Sequence, residues 1–217
     1  MAAESTTPPA KCLKCQGHLA SPIFCGGCQT LYPPPQSADY FDLLGLRRQY
    51  AINEAQLNTA FRTITRYIHP DRFATQNDEV RALATRLSAE LNQAVSVLRD
   101  PVQRAAYLLE LAGGPSAVEV RDVPTALLTE VMTLREGADR ARSTGDAETM
   151  RRLHTSVHER RGEIMRQITE KAGRLPDCTD DEKNTLRRLL NSVRYFESLL
   201  SEFAPDPLAT AQRAGNG

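Results

Sequence analysis

Four cysteines fall within seventeen residues as two Cys-x-x-Cys pairs, Cys12/Cys15 and Cys25/Cys28, with nine residues between the pairs. Each pair can close a knuckle that presents two sulfurs to one ion, and two knuckles build a tetrahedral thiolate cage. Four thiolates fill the coordination sphere and leave no position for a water, so such an ion is structural rather than catalytic. Zinc is the expected ion and iron its rival, since thiolates suit both. A segment this poor in apolar residues does not hold a fold unaided, which argues against four free thiols. No βαβ pattern surrounds Cys25-Gly26-Gly27-Cys28, which argues against a thioredoxin-like redox pair. His18 reads as a loop residue because four cysteines already complete the site, and the fifth cysteine, Cys178, stands alone.

A second constellation, His69-Pro70-Asp71, offers recognition rather than catalysis. Pro70 disfavours helix in the residue before it and fixes its own φ, so the flanking side chains project from a helix end. Asp71 supplies a carboxylate suited to a bidentate arginine, and His69 can donate or accept a hydrogen bond. Arg62, Arg66 and His69 recur at i, i+4 and i+7 on one helix face, and Arg72 follows the tripeptide. Together they form a positive face. No nucleophile–base pair is visible, and no enzymatic activity is expected.

The elements that carry these residues read as helices. Asn53 opens one, with Gln56 placed for a capping box and an apolar stripe Leu57, Phe61, Ile64, Ile68. The next carries Val80, Leu83, Leu87, Leu91, Ala94, Val95 and Leu98, and two such helices bury their stripes on each other. Asp100-Pro101 then pairs an N-cap with a proline at the first helical position, ahead of Val102, Tyr107, Leu108 and Leu111. Gly113-Gly114-Pro115-Ser116 breaks the chain. Three helices follow, predicted over 124–142, 146–172 and 179–203, the last with Glu182 closing a capping box on Thr179. Their stripes are Leu127/Val131/Leu134/Ala138, Met150/Leu153/Val157/Ile164/Ile168 and Leu186/Leu189/Val193/Phe196/Leu200/Phe203, which predicts an up-down three-helix bundle. Leu128 and Met132 add a second apolar row about 100° round from the first, and Tyr195 and Leu199 likewise flank the core row of the last helix. A wide apolar arc is either a larger core or an exposed patch; by the residues alone, core is favoured.

The 217 residues leave room for two small domains, and 27 acidic and 27 basic side chains balance. Zero net charge, with no aromatic–basic interleaving around the cysteines, argues against nucleic-acid binding. No apolar run approaches the length of a membrane span. No presequence is visible, which favours a bacterial cytoplasm, with the mitochondrial matrix second.

Three segments in order, Asp39-Tyr40-Phe41-Asp42-Leu43-Leu44-Gly45-Leu46, then His69-Pro70-Asp71, then Arg104-Ala105-Ala106-Tyr107-Leu108-Leu109, resemble the J-domain of the HscB family, co-chaperones of iron–sulfur cluster assembly. The cysteine pairs look like the module that precedes the J-domain in the longer members; shorter bacterial members lack it. Composition and patterning predict an all-α chain, and with the resemblance they divide it into a tail over 1–11, a metal module and Pro-rich linker over 12–37, a J-domain over 38–112, a linker over 113–121, a three-helix domain over 122–204 and a tail over 205–217. The resemblance implies that His69, Pro70 and Asp71, with Arg62, Arg66 and Arg72, engage a chaperone ATPase of the HscA/DnaK class. It also reverses the reading of the second apolar row: Leu128, Met132 and Tyr195 fall where the family holds the IscU-type scaffold, and Glu136 where it uses a carboxylate. Thr129, Thr133 and Arg140 depart from the family's larger apolar and acidic residues, so the apolar anchor is better supported than an acidic complement. Three rivals stand beside this reading: a generic J-domain adaptor with unrelated clients, a zinc-finger regulator, and a redox or iron sensor built on the cysteines.

Overall fold

Most helix starts in this chain are set by side chains that satisfy the first free N–H groups, as a computed structural model covering residues 11–19 and 21–203 shows. The expected tails over 1–11 and 205–217 lie outside the described residues, apart from Lys11. The order is α1 (Tyr40–Leu44), α2 (Glu54–Ile68), a 3-10 turn (Pro70–Phe73), α3 (Asp78–Arg99), α4 (Pro101–Leu111), α5 (Thr125–Thr144), α6 (Ala147–Gly173) and α7 (Asp180–Phe203). Only isolated bridges, Lys11 with His18 and Phe24 with Ser21 and Leu31, pair extended backbone among the described residues. The all-α expectation holds, with the cysteine module ahead of the helices.

The chain forms two compact units, Met1–Arg104 and Ala105–Gly217, whose division falls inside α4. In the first unit α2 and α3 pack as a hairpin, and α1 lies against both. Leu57, Ile64 and Ile68 of α2 are buried with Leu87, Leu91, Ala94, Val95 and Leu98 of α3, while Phe61, Val80 and Leu83 are only partly covered. Asn53 caps α2 by accepting from the N–H groups of Ala55 (2.9 Å) and Gln56 (3.1 Å). A reciprocal capping box forms on α1, between Asp39 and Asp42. Asp39 is buried and also accepts from Arg48 Nε at 2.6 Å, so the first of the three sequence segments is a charge-anchored helix start. Gly45 ends α1 at φ 65°, a left-handed position that costs glycine nothing.

In the second unit α5, α6 and α7 pack pairwise. Val157, Ile164 and Ile168 of α6 meet a buried row on α7, with Leu127, Val131, Ala138 and Ala141 on α5. Full burial of each large aliphatic side chain contributes about 1.5–3 kcal/mol. The α7 row runs Leu186, Leu190, Val193, Phe196, Leu199, Phe203, so Leu199 is core rather than flank, and Leu189 and Leu200 are half-buried. On α4 Leu109 is buried and Leu111 lies at the surface, which corrects the expected stripe there. The Thr179–Glu182 capping box forms as expected, with Thr179 N–H donating to Glu182 Oε2 at 2.8 Å and Glu182 N–H to Thr179 Oγ1 at 3.3 Å.

Candidate functional sites: tetracysteine centre, His-Pro-Asp loop and apolar helix face

The two cysteine knuckles are built alike. In the first, Gln16 N–H donates to Cys12 O and Cys12 N–H to Gly17 O, both at 2.8 Å; in the second, Gln29 N–H donates to Cys25 O and Cys25 N–H to Thr30 O, both at 2.9 Å. Each glutamine sits at positive φ, 60° for Gln16 and 59° for Gln29, where non-glycine residues are uncommon. The sequence carries the trace of this repeat as Cys-x-x-Cys-Gln twice, Cys12 to Gln16 and Cys25 to Gln29. The folds of the two knuckles bring all four Sγ atoms within 4.8 Å of one another. The pairs Cys12/Cys28 and Cys15/Cys25 lie at 3.3 and 3.5 Å. A tetrahedron with zinc–sulfur bonds of about 2.3 Å has edges of about 3.8 Å, so separations that start at 3.3 Å and stay within 4.8 Å bracket those of a tetrahedral thiolate-bound ion. His18 is exposed and outside this cluster.

Ionisation in the cage is uneven. The Tyr32 hydroxyl, 3.1 Å from Cys12 Sγ, donates to the thiolate and brings Cys12 down to about 5; burial opposes this, and the Cys15 N–H and Cys28 assist. The Thr30 hydroxyl and N–H lower Cys28 in the same way. Cys15 accepts from the Gly17 N–H, which favours its thiolate, but the other three sulfurs outweigh that and push it up to about 12. Four sulfurs at contact distance do not all ionise without a cation. A divalent ion held by the four cysteines would supply that charge and displace the remaining protons.

The His-Pro-Asp segment starts where α2 stops. His69 leaves helical geometry at ψ 129° and Pro70 opens the 3-10 turn. Phe73, buried, pins the far end of the turn, and Ser88 of α3 donates to the otherwise free carbonyl of Ile68 at 3.4 Å. His69 Nδ1 accepts the Asp71 N–H at 3.3 Å, so the ring proton rests on Nε2. The side chains remain available, with 52% of His69 and 90% of Asp71 exposed. Arg62 and Arg66 are exposed and line one shallow groove on α2 with Thr59, Thr63 and Tyr67. Arg72 is exposed beyond the tripeptide.

On α5, Leu128, Met132 and Glu136 fall at i, i+4 and i+8 on one face. Leu128 is 37% and Met132 62% exposed, so the second apolar row is a surface, against what the residues alone favoured. Glu136 is exposed and Tyr195 of α7 half-buried. Thr129 and Thr133 donate to the helix carbonyls of Thr125 and Thr129.

Two features escaped the sequence reading. The cysteine module docks on α1, α2 and the 3-10 turn: the Phe24 and Tyr67 rings stack 4.7 Å apart, Ser21 Oγ donates to Leu43 O at 3.3 Å, and Arg72 Nη2 donates to Gln29 Oε1 at 3.0 Å. Separately, Arg187 of α7 is 1% exposed; its Nε donates to Pro115 O at 2.8 Å and its guanidinium lies 3.6 Å from Glu110. Burial lowers its pKa, and Glu110 opposes that. An arginine inside an apolar row was the available sign.

Known proteins converge on the same reading. The DnaJ domain family matches residues 39–107. A co-chaperone protein HscB homolog from Azoarcus sp. (strain BH72) is 32% identical over 168 residues, 76% of this chain and 90% of its own length. A Burkholderia vietnamiensis homolog is 31% identical over 75% of this chain and 90% of its own. The crystal structure of human co-chaperone protein HscB superposes with a TM-score of 0.70 over 89% of this chain and 96% of its own, at 22% identity. Chaperone HscB from Vibrio cholerae gives 0.64 over 76% and 95%, at 27% identity. With a J-domain match spanning the His-Pro-Asp turn and relatives alike over three quarters of its length, this chain belongs to the HscB family of co-chaperones.

Proposed function

We propose that this protein stimulates the ATPase of an HscA/DnaK-class chaperone and delivers an IscU-type scaffold to it during iron–sulfur cluster biogenesis. The supporting observation is the His69-Pro70-Asp71 turn: a buried Phe73 and a proline fix it, while both polar side chains point to solvent. In this reading Asp71 meets a basic group of the chaperone, His69 Nε2 donates to it, and Arg62, Arg66 and Arg72 steer an acidic surface toward the turn. The J-domain spans about 38–112 and the scaffold-binding bundle about 122–204. Leu128, Met132 and Tyr195 anchor the scaffold and Glu136 contributes a carboxylate; an exposed methionine between polar neighbours is a poor core residue and a good anchor. The cysteine cage holds zinc as a structural ion, with iron the alternative that metal analysis would expose. The protein works as a regulator, with no chemistry of its own, and the bacterial relatives favour a bacterial cytoplasm.

The test is steady-state ATP hydrolysis by the cognate chaperone, with and without scaffold, using wild type and His69→Gln. Stimulation that needs His69 and rises with scaffold is the expected result. Stimulation indifferent to scaffold would leave a generic J-domain adaptor, and equal rates for wild type and His69→Gln would sink the chaperone reading.

A further inference from the structure

We propose that Gln29 of the second cysteine knuckle is a positioning residue for chaperone binding, acting through Arg72; this rests on the chaperone reading above. Arg72 follows Asp71 directly, in a turn held at its far end by buried Phe73. An exposed arginine samples many rotamers, and fixing it at a partner's surface costs entropy. Here that side chain is already held, by the 3.0 Å bond from its Nη2 to Gln29 Oε1. Gln29 in turn has little freedom at its backbone. Its φ is 59°, its N–H donates to Cys25 O at 2.9 Å, and the adjoining Cys25–Thr30 bond closes the same loop. The knuckle therefore fixes where the amide leaves the module.

A second contact seats the module on α2, just ahead of the turn. Phe24, one residue before Cys25, stacks on Tyr67 at 17° between ring planes. Tyr67 also lines the α2 groove with Arg62 and Arg66. The metal module thus meets the basic face at two points, one through Tyr67 and one through Arg72. Pre-ordering Arg72 lowers the entropy lost on docking and leaves the activating turn itself untouched. The expected signature is a change in half-maximal concentration, with maximal stimulated rate unchanged.

The experiment titrates full-length, zinc-loaded protein into the cognate chaperone and reads both quantities from ATP hydrolysis. Gln29→Met keeps side-chain length and removes the amide acceptor. Its half-maximal concentration should rise about two- to tenfold, the range of one net hydrogen bond, at full maximal rate. Arg72→Met should raise it at least as far, and the double variant should match Arg72→Met alone. Gln16→Met, at the corresponding place in the first knuckle, should leave it where it was. Absorption of the cobalt-substituted proteins reports independently that the cage is intact, and Gln29→Asn replaces Gln29→Met if that spectrum changes. An unshifted half-maximal concentration for Gln29→Met, the same shift on the Arg72→Met background, or an equal shift for Gln16→Met would each overturn the proposal. His69→Gln distinguishes the failures: if it stimulates like wild type, the chaperone reading falls; if it is inactive while Gln29→Met is normal, only the role of Gln29 falls.

Discussion

Tyr32 shows how much of the thiolate chemistry lies outside the four cysteines. Its hydroxyl holds Cys12 down to about 5, so that thiolate persists well into acid. Tyr32→Phe removes the donor, and Cys12 rises toward its ordinary value of 9.0. Protons then compete with the metal at higher pH, and metal release, followed with a chromophoric chelator, should move to higher pH than in wild type. The same scale governs the α5 face. Met132→Ala should weaken scaffold binding by about 1–2 kcal/mol while leaving the melting temperature nearly unchanged, because the side chain is 62% exposed; calorimetric titration beside thermal melts checks both. The cysteine ligands were legible because ligand chemistry demands their type and spacing. Tyr32 and Gln29 were not, because their roles depend on where two knuckles fold and nothing in a lone tyrosine or glutamine announces that. Met132 was ambiguous for another reason: periodicity gives the width of an apolar arc and is silent about which edge of it meets solvent.

At the scale of elements, caps were the most readable feature and core phase the least. Thr179–Glu182 and Asn53 were placed by residue type alone. The α7 stripe was read one position off at Leu189 and Leu200, because a helix packed against two others buries more than one row. Leu190 and Leu199 are buried in their place. Phe196, fully buried, anchors that row, and Phe196→Ala should cost about 3–5 kcal/mol of stability by denaturant unfolding. Arg187→Ala opens a buried volume and leaves the Pro115 carbonyl without its donor, at a cost of about 2–4 kcal/mol.

The caps also set an acid limit. Thr179, through its N–H and hydroxyl, holds Glu182 below its ordinary 4.5, and Arg135 does the same for Glu202. Thr149 holds Asp146 below 3.8. Depressed folded values mean that this stabilisation is complete above the ordinary values and drains away as pH falls through the depressed ones. Glu182→Gln should therefore lower the melting temperature at pH 7, and the gap to wild type should narrow as pH falls below 4.5.

For the whole molecule, zero net charge conceals a local excess. Arg62, Arg66 and Arg72 surround a turn whose carboxylate is 90% exposed, while Arg135, Arg160 and Arg161 are occupied by Glu202, Glu130, Glu163 and Glu197. Bulk charge argued against a nucleic-acid role, but it hid this division between arginines paired with carboxylates and arginines that are not. Association with the chaperone should accordingly be salt-sensitive: the half-maximal concentration should rise several-fold between about 0.05 and 0.3 M salt, as screening shortens the reach of these cations.

The stack of Phe24 on Tyr67 has an evolutionary corollary. A family member lacking the cysteine module would have nothing to lay over that part of α2, and an aromatic ring left bare beside a basic groove would invite self-association. The module's presence and the residue at this position should therefore be inherited together: an aromatic where the module is found, a polar side chain where it is absent. Grafting the module onto a shorter relative would succeed only if its landing place were transplanted with it.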